Sequence, residues 1–357
     1  MAPSLAYPIT FKAAVLERNL EPLSLQEITF EGPLQAGQVL VRILYSGICG
    51  KQVEEIQGTR GEDPFLPHML GHEGSGIVQD IGPGVTKVAP GDHVVLHWMK
   101  GTGIDAATPF YTNNGTRINA GWITTFNEYG VLSENRLTPI SKKANLETAC
   151  LLGCAATTGV GVIINEANVR PGESVAVFGC GGVGLSAIQG AALVRANPII
   201  AVDRNRQSLE LARKFGATHT IDTNAVNTTE EIRRITQDQG VSYAIVAVGS
   251  PPVIELAAES TAIPGAVYLV GVPPGNAEIK VKAFDIHCRR SFLGSFGGGI
   301  VPDRDIPGYM DLDQNGQLHL RDLITKSVTL DQINDGIDAL TSGLVGRCTV
   351  RMENDGN

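Results

Sequence analysis

No apolar run in the 357-residue chain approaches the roughly 20 residues that cross a bilayer, so no membrane span is expected. The opening stretch MAPSLAYPITFKAAV lacks the charged start, apolar core and small-residue cleavage site of a signal peptide, and a cytoplasmic location is expected. Positive charge is not in surplus either. A formal net charge of −9 argues against a nucleic-acid or anionic-membrane surface. Cysteine is sparse, with six residues scattered along the chain, so disulfides are not expected; metal binding, catalysis or burial must account for them. There is no internal repeat and no low-complexity linker. What remains is an ordinary globular composition, 43% hydrophobic and 18% charged, long enough for two domains.

The most informative stretch is SVAVFGCGGVGLSAIQGAALVRANPIIAVD, residues 174–203. A short apolar run enters a turn with Gly179, Gly181 and Gly184 in G-x-G-x-x-G spacing, Gly182 being an extra glycine and Val183 lying within the turn. An alanine-rich apolar segment follows, then Pro198, then a second apolar run ending on Asp203. Strand, tight turn, helix and strand in that order make a dinucleotide-binding fingerprint. Its glycines let the backbone approach a pyrophosphate at the helix N-terminus, and the acid accepts ribose hydroxyls. The competing reading is a βαβ unit whose glycines serve packing alone.

The rest of the chain is organised around this unit. Residues 11–48 read as short strands separated by Pro33 and Gly37, a β-rich start whose third strand closes on Cys49. In PFLPHMLGHEGSGIV, His72 and Glu73 lie between Gly71 and Gly74. Residues 99–122 form a polar loop with neither cysteine nor histidine. A helical stretch, 146–165, carries Cys150 and Cys154. From about 174 to 295 βα units recur, predicting a doubly wound parallel sheet. The C-terminal portion reads as strand, helix and strand returning to the first domain. Cys49, His72 and Cys154 supply two thiolates and an imidazole, three suitable zinc ligands, although spacing alone does not bring them together. His72 by itself reads more readily as a satisfied structural histidine than as a ligand; its partners change that. Cys150, Cys180, Cys288 and Cys348 read as buried small hydrophobes, and His68, His93, His97, His219, His287 and His319 as ordinary residues, with a place at the pocket border the alternative for His97.

GICG, GHEGSGIV, PGDHVV, LLGCAATTGVG, VFGCGGVGLSAIQGA and GAVYLVGV, in this order, closely resemble the zinc-containing medium-chain alcohol dehydrogenases. The resemblance spans about residues 12–350. It implies a GroES-like β-rich catalytic domain, residues 1–155 and 296–357, with a Rossmann domain, residues 156–295, inserted into it and the active site in the cleft. Cys49, His72 and Cys154 match the catalytic zinc ligands, and Glu73 the acid that approaches the metal during exchange. Asp203 matches the ribose-binding acid, and Arg347 an arginine that pairs with the cofactor pyrophosphate. Val270, Gly271 and Val272 match backbone that holds the nicotinamide amide; Val183, Arg204 and Ser295 complete the cofactor set. Trp98 and Phe126 fall where the family places aromatic pocket walls.

Three departures qualify the resemblance. The lobe that four cysteines organise around a structural zinc has none here, so one zinc per chain is expected. Lys51 stands where the family places a hydroxyl that takes the alcohol proton, and Glu54 where a histidine often completes the relay. These point to an NAD-dependent zinc enzyme acting on a polar alcohol such as a polyol, cyclitol or sugar derivative, with Lys51, Glu54 and Glu73 as catalytic candidates. The alternatives are a non-catalytic NAD sensor and a zinc-free reductase of the same superfamily. The resemblance also implies a homodimer or homotetramer, with the GAVYLVGV strand edge as a candidate contact.

Overall fold

The computed structural model describes residues 6–352 except 60, 62, 344 and 345. They form two compact units. The first runs through Cys154 and resumes with Val301–Leu312 and from Leu320 onward; the second comprises Ala155–Ile300 and Asp313–His319. The sequence reading placed the return at 296. Residues 296–300 instead stay with the second unit, because their glycine turn lies against the 155–166 helical stretch. A Cβ on Gly161 would meet the Gly298 carbonyl oxygen at 2.5 Å, and Asn165 Nδ2 donates to that oxygen at 3.4 Å.

In chain order the first unit contributes strands β1 (Ile9–Leu16), β2 (Ser24–Phe30), β3 (Gln38–Ile48), β4 (His68–Met69), β5 (Glu73–Ile81), β6 (His93–His97), β7 (Phe110–Asn113), β8 (Thr116–Asn119), β9 (Tyr129–Ser133) and β10 (Leu137–Ile140). Helices α1 (Gly50–Ile56) and α2 (Leu146–Ala149) follow β3 and β10. The second unit alternates α3 (Ala155–Gly161), β11 (Val175–Phe178), α4 (Gly182–Leu193), β12 (Ile199–Asp203), α5 (Arg206–Lys214), β13 (His219–Asp222), α6 (Thr228–Ile235), β14 (Val241–Val246), α7 (Pro251–Ser260), β15 (Thr261–Leu269), α8 (Ala283–His287) and β16 (Arg290–Gly294). The chain then enters α9 (Pro302–Gln314) and closes with β17 (Ile324–Thr329) and β18 (Arg347–Arg351).

In the first unit β1, β2, β7, β8 and β4 close a small barrel, and a second sheet runs β10-β6-β5-β3-β18-β17, with β9 also on β3. Alternation of apolar and polar residues fills the barrel with Phe11, Val15, Ile28 and Tyr111, while Val41, Ile43, Leu96 and Val350 build the core of the larger sheet. Each fully buried Val, Leu or Ile contributes about 1.5–3 kcal/mol.

The second unit is a parallel sheet ordered β13-β12-β11-β14-β15-β16, the doubly wound arrangement whose ligands bind beyond the carboxyl ends of the strands. Its central strands are continuous apolar runs because helices cover both faces; all four residues of β11 are buried. Helices α3 and α4 cross at backbone distance, since a Cβ on Gly159 would meet the Val183 carbonyl oxygen at 2.3 Å. The expected contact edge needs correction. The GAVYLVGV strand, β15, is hydrogen-bonded on both sides, to β14 and β16, so the free edge on that side of the sheet belongs to β16.

Without cysteines, the loop after β6 is held by two carboxylates. Glu134, 1% exposed, accepts the backbone N–H groups of Thr86, Lys87 and Ile104, each at 2.7 Å. Asp303, near the start of α9, accepts Thr102 N–H at 2.6 Å and the Thr102 hydroxyl at 2.8 Å, and pairs with Lys87. Burial raises both carboxyls, yet these bonds outweigh it and both lie below their ordinary range. Beside them His97 is fully buried, with Nδ1 at 2.7 Å from the Met99 carbonyl and Nε2 at 2.9 Å from the Thr138 hydroxyl. Burial pushes its pKa down to about 4. His97 is therefore a neutral, structural residue with no exposed surface.

All three shifts are depressions, so the stability they carry is present above the unfolded-state pKa and is lost on acidification. For His97 the loss begins near pH 6.5 and is complete near 4; the carboxylates follow at lower pH. Between pH 7 and pH 5 the loss in urea unfolding stability should be larger in the wild type than in His97→Gln, by about 2 kcal/mol. Equal losses in the two proteins would contradict this assignment.

Candidate active site

Several sheet ends converge at one place in the first unit. Strand β3 delivers Cys49 at its end, directly before α1. Strand β5 starts at Glu73, with His72 one residue earlier. Gly71 makes that turn possible: its φ is +94°, and a Cβ there would meet Thr125 Oγ1 at 2.3 Å. Strand β18 pairs Cys348 with Ile48, which brings Arg347 to the same end of the sheet. Cys154 follows a short 3-10 turn, in the non-helical conformation φ −154°, ψ −75°.

The result is a cluster in which the ligand atoms of Cys49, His72 and Cys154 all lie within 4.8 Å of one another. It is the one group of three or more such side chains among the described residues. A hydrogen bond with Cys154 holds the Cys49 thiol well below its ordinary pKa; His72 and the Arg347 charge act in the same direction, against burial. The other buried cysteines behave oppositely. Burial raises Cys150 and Cys180, and pushes Cys348 up to about 11. Cys49 is thus set apart from these three buried thiols. Two sulfurs and one imidazole nitrogen are the donor set of a catalytic zinc site that keeps a fourth position for water or substrate, and the residues fit that metal.

Glu73 has no exposed surface, and its carboxylate pairs with the Arg347 guanidinium, which is 4% exposed. Arg347 thus stands beside the cluster, with a buried carboxylate matching its charge. Glu73 is seated by Gly47 and Gly153, since a Cβ on Gly47 would meet its Oε1 at 2.5 Å and one on Gly153 its Cα at 2.7 Å. Lys51 and Glu54, one turn apart on α1, form an ion pair with side chains 22% and 42% exposed. Trp98, just past β6, is half-buried, and Arg136 donates to its carbonyl. Phe126 does not line an open pocket: it has no exposed surface and packs in the core with Leu16, Ile43 and Leu70.

Gln52 escaped the sequence reading. It is 1% exposed, its side-chain carbonyl accepts the Cys49 backbone N–H at 2.9 Å, and its amide contacts His72 Nδ1. The available signal was a glutamine three residues after Cys49 at a helix start, the spacing of a capping box.

The second unit supplies a cradle at the carboxyl ends of its strands. Gly179 has φ +92°, and a Cβ on Gly184 would lie 1.8 Å from the Gly179 carbonyl oxygen, so the turn admits only glycine at both places. A Cβ on Gly181 would meet nothing within 4 Å, leaving an open approach to the N-terminus of α4, which begins at Gly182. Asp203 ends β12 and is held by Cys180 N–H at 2.6 Å and Asn205 N–H at 2.8 Å. Arg204 is exposed beside it, whereas Arg206 pairs with Asp222 at 3.2 Å. Val270 and Gly271 both donate to the Val246 carbonyl at 2.9 Å. Val272 is half exposed, and Ser295 keeps a buried hydroxyl without a hydrogen-bond partner. A dinucleotide fits this arrangement: a glycine cradle, an oriented acid and an unused hydroxyl.

Comparison with known proteins agrees with both units. A family model described as zinc-binding dehydrogenase matches residues 182–315, and one described as alcohol dehydrogenase GroES-like domain matches residues 35–142. The S-(hydroxymethyl)glutathione dehydrogenase of Escherichia coli is 34% identical over 369 residues, covering 95% of this chain and 99% of its own. Among solved structures, an alcohol dehydrogenase zinc-binding domain protein from Burkholderia ambifaria superposes with a TM-score of 0.91 at 29% identity, covering 98% of this chain and all of that one. Benzyl alcohol dehydrogenase from Acinetobacter calcoaceticus gives 0.88 at 29% identity, covering 97% and 100%.

The purified protein should carry one zinc per chain. Cys154→Ser should lower zinc occupancy and activity together, because two remaining ligands leave a deficient site. Two tightly bound zincs, or full activity with none, would contradict the assignment.

Proposed function

Because this chain belongs to the zinc-containing medium-chain alcohol dehydrogenase family, we propose that it transfers a hydride between NAD and a polar alcohol, a polyol, cyclitol or sugar derivative, giving the aldehyde or ketone. The observation that carries the proposal is the Cys49–His72–Cys154 cluster with the Lys51–Glu54 ion pair two residues beyond its first ligand. When bound, zinc supplies the positive charge that favours a deprotonated alcohol, and the nicotinamide supplies the hydride acceptor. The chain's own residues do the rest. Cys49, His72 and Cys154 fix the metal's geometry. Glu73 and Arg347, paired and buried, set the charge behind it. Asp203 receives the ribose hydroxyls, and Ser295 Oγ offers a hydrogen bond to the cofactor.

Pairing with Glu54 supports the reading in which Lys51 anchors a second oxygen of the substrate. The competing reading has Lys51 take the alcohol proton and Glu54 pass it to water. Preference for NAD follows from Asp203, since a 2′-phosphate placed there meets like charge. Loss of one hydrogen bond to a charged group costs about 1.5–3 kcal/mol, roughly ten- to hundredfold. Steady-state kinetics on a panel of alcohols tests these points together. NAD should exceed NADP in kcat/KM by at least tenfold, and Lys51→Met should raise KM selectively for the more polar or anionic substrates. Equal use of both cofactors overturns the role of Asp203. A fall in kcat with loss of one ionisation from the pH profile would mean that Lys51 is the relay instead.

Self-association is also proposed, through the free edge of β16. Beside that edge Phe284, Leu293 and Phe296 are 74%, 41% and 72% exposed, more apolar surface than a lone sheet edge ordinarily leaves uncovered. Sedimentation at micromolar concentration should give a dimer or larger species, and Leu293→Asp should shift it towards monomer. A wild-type monomer would refute the proposal.

A further inference from the structure

Arg136 ends the 3-10 turn Glu134–Arg136 that leads into β10, and it is 3% exposed. Among the described residues no carboxylate forms an ion pair with it: Asp105 acts on it only from a distance and is itself paired with Lys100 at 2.6 Å. Its one hydrogen bond to a described residue runs from Nη1 to the Trp98 carbonyl, and Nε is buried without a partner. Holding a carbonyl takes a single neutral donor, whereas a buried guanidinium left unpaired is costly. The unused Nε–Nη2 edge presents two parallel donors, the fork that accepts one carboxylate side-on. The Trp122 indole covers the guanidinium, with Cζ 5.3 Å from the ring centroid. That residue is 73% exposed, so little of the protein holds the ring in place.

Strand register shows where this arginine lies. Cys348 pairs with Ile48, Gly74 with Ser46, His97 with Glu73, and Leu137 with Leu96. One rim of the larger sheet therefore carries Arg347, Cys49, His72, Trp98 and Arg136 in that order. Strands about 4.8 Å apart put the backbone of Arg136 two spacings, roughly 10 Å, from that of His72, with Trp98 between them. Resting on the reading of the Cys49–His72–Cys154 cluster as the alcohol site, we propose that the Nε–Nη2 edge of Arg136 is a subsite for a carboxylate on the substrate, covered by Trp122 until that group arrives. The carboxylate displaces the indole and exchanges one cation–π contact for two charge-assisted hydrogen bonds. The substrate class narrows to alcohols whose far end, away from the reacting hydroxyl, carries a carboxylate; sugar acids are the polar examples.

Two measurements on the full-length protein test this. The chain has two tryptophans, Trp98 and Trp122, and both touch Arg136, so tryptophan fluorescence reports on the guanidinium. Titration with hexanoate should give a saturable change, hexanamide should give none, and Arg136→Gln should abolish the response. The second measurement compares ω-hydroxycarboxylates of increasing chain length with their primary amides in steady-state kinetics. At the best length the acid should exceed its amide in kcat/KM by about tenfold or more, and Arg136→Gln should bring that ratio close to one. Arg136→Lys, which keeps the charge but not the fork, should retain part of it. Equal responses to hexanoate and hexanamide overturn the proposal. So does an acid preference that persists in Arg136→Gln, or a fall in kcat/KM equal for acid and amide, the mark of a merely structural link to Trp98. If Arg136→Gln does not fold, Trp122→Leu decides: with the cover gone hexanoate should bind severalfold more tightly, followed on Trp98, and unchanged affinity overturns the proposal. A protein that oxidises no alcohol overturns the reading of the cluster, while the hexanoate titration still decides the subsite.

Discussion

Everything at the site depends on holding two cysteine sulfurs and an imidazole together within 4.8 Å of one another. Ionised sulfurs repel each other, and burial alone raises a thiol's pKa, as Cys150, Cys180 and Cys348 show. Cys49 moves the opposite way because Cys154, His72 and Arg347 surround it. The fold assembles these neighbours from the ends of β3, β5 and β18 and from the turn before α3, and a divalent cation completes the charge balance. Around the cluster the packing leaves little slack: Gly47, Gly71 and Gly153 each occupy a spot where a Cβ would strike Glu73 or Thr125.

Charge in the first unit is balanced largely in pairs. Glu73 with Arg347 lies behind the cluster, Lys51 with Glu54 on α1, and Asp303 with Lys87 at the loop after β6. The last pair, together with Glu134, ties the loop after β6 to the rest of the unit. Each of its carboxylate bonds ends on a backbone N–H or a neighbouring side chain, so the loop is tied without thiols. Such ties weaken when carboxylates are protonated.

Much of this was legible in the sequence, for reasons that differ from element to element. The glycine turn could be read because only glycine tolerates φ +92° at position 179 or a carbonyl 1.8 Å from the Cβ site of residue 184. The parallel sheet could be read because strands covered on both faces are uninterrupted apolar runs. Cys49, His72 and Cys154 were nameable only through family resemblance, since nothing in their spacing reveals that β3, β5 and the turn before α3 meet. Long-range side-chain pairings were not legible: Arg347 reaching Glu73, the burial of Phe126 and His97, and the contact of Gln52 with His72 depend on register and packing. The free edge was misassigned to β15 because strand order in a parallel sheet is a property of the whole unit, not of the strand.

The central claim is that Cys49, His72 and Cys154 hold the metal on which the chemistry turns. X-ray absorption at the zinc edge of the purified protein tests it most directly. The account predicts a four-coordinate zinc with two sulfur and two nitrogen or oxygen neighbours, at about 2.3 Å and about 2.0–2.1 Å. Cys154→Ser should leave any residual zinc with one sulfur. A four-sulfur shell, a shell without sulfur, or an unchanged spectrum in Cys154→Ser would contradict it.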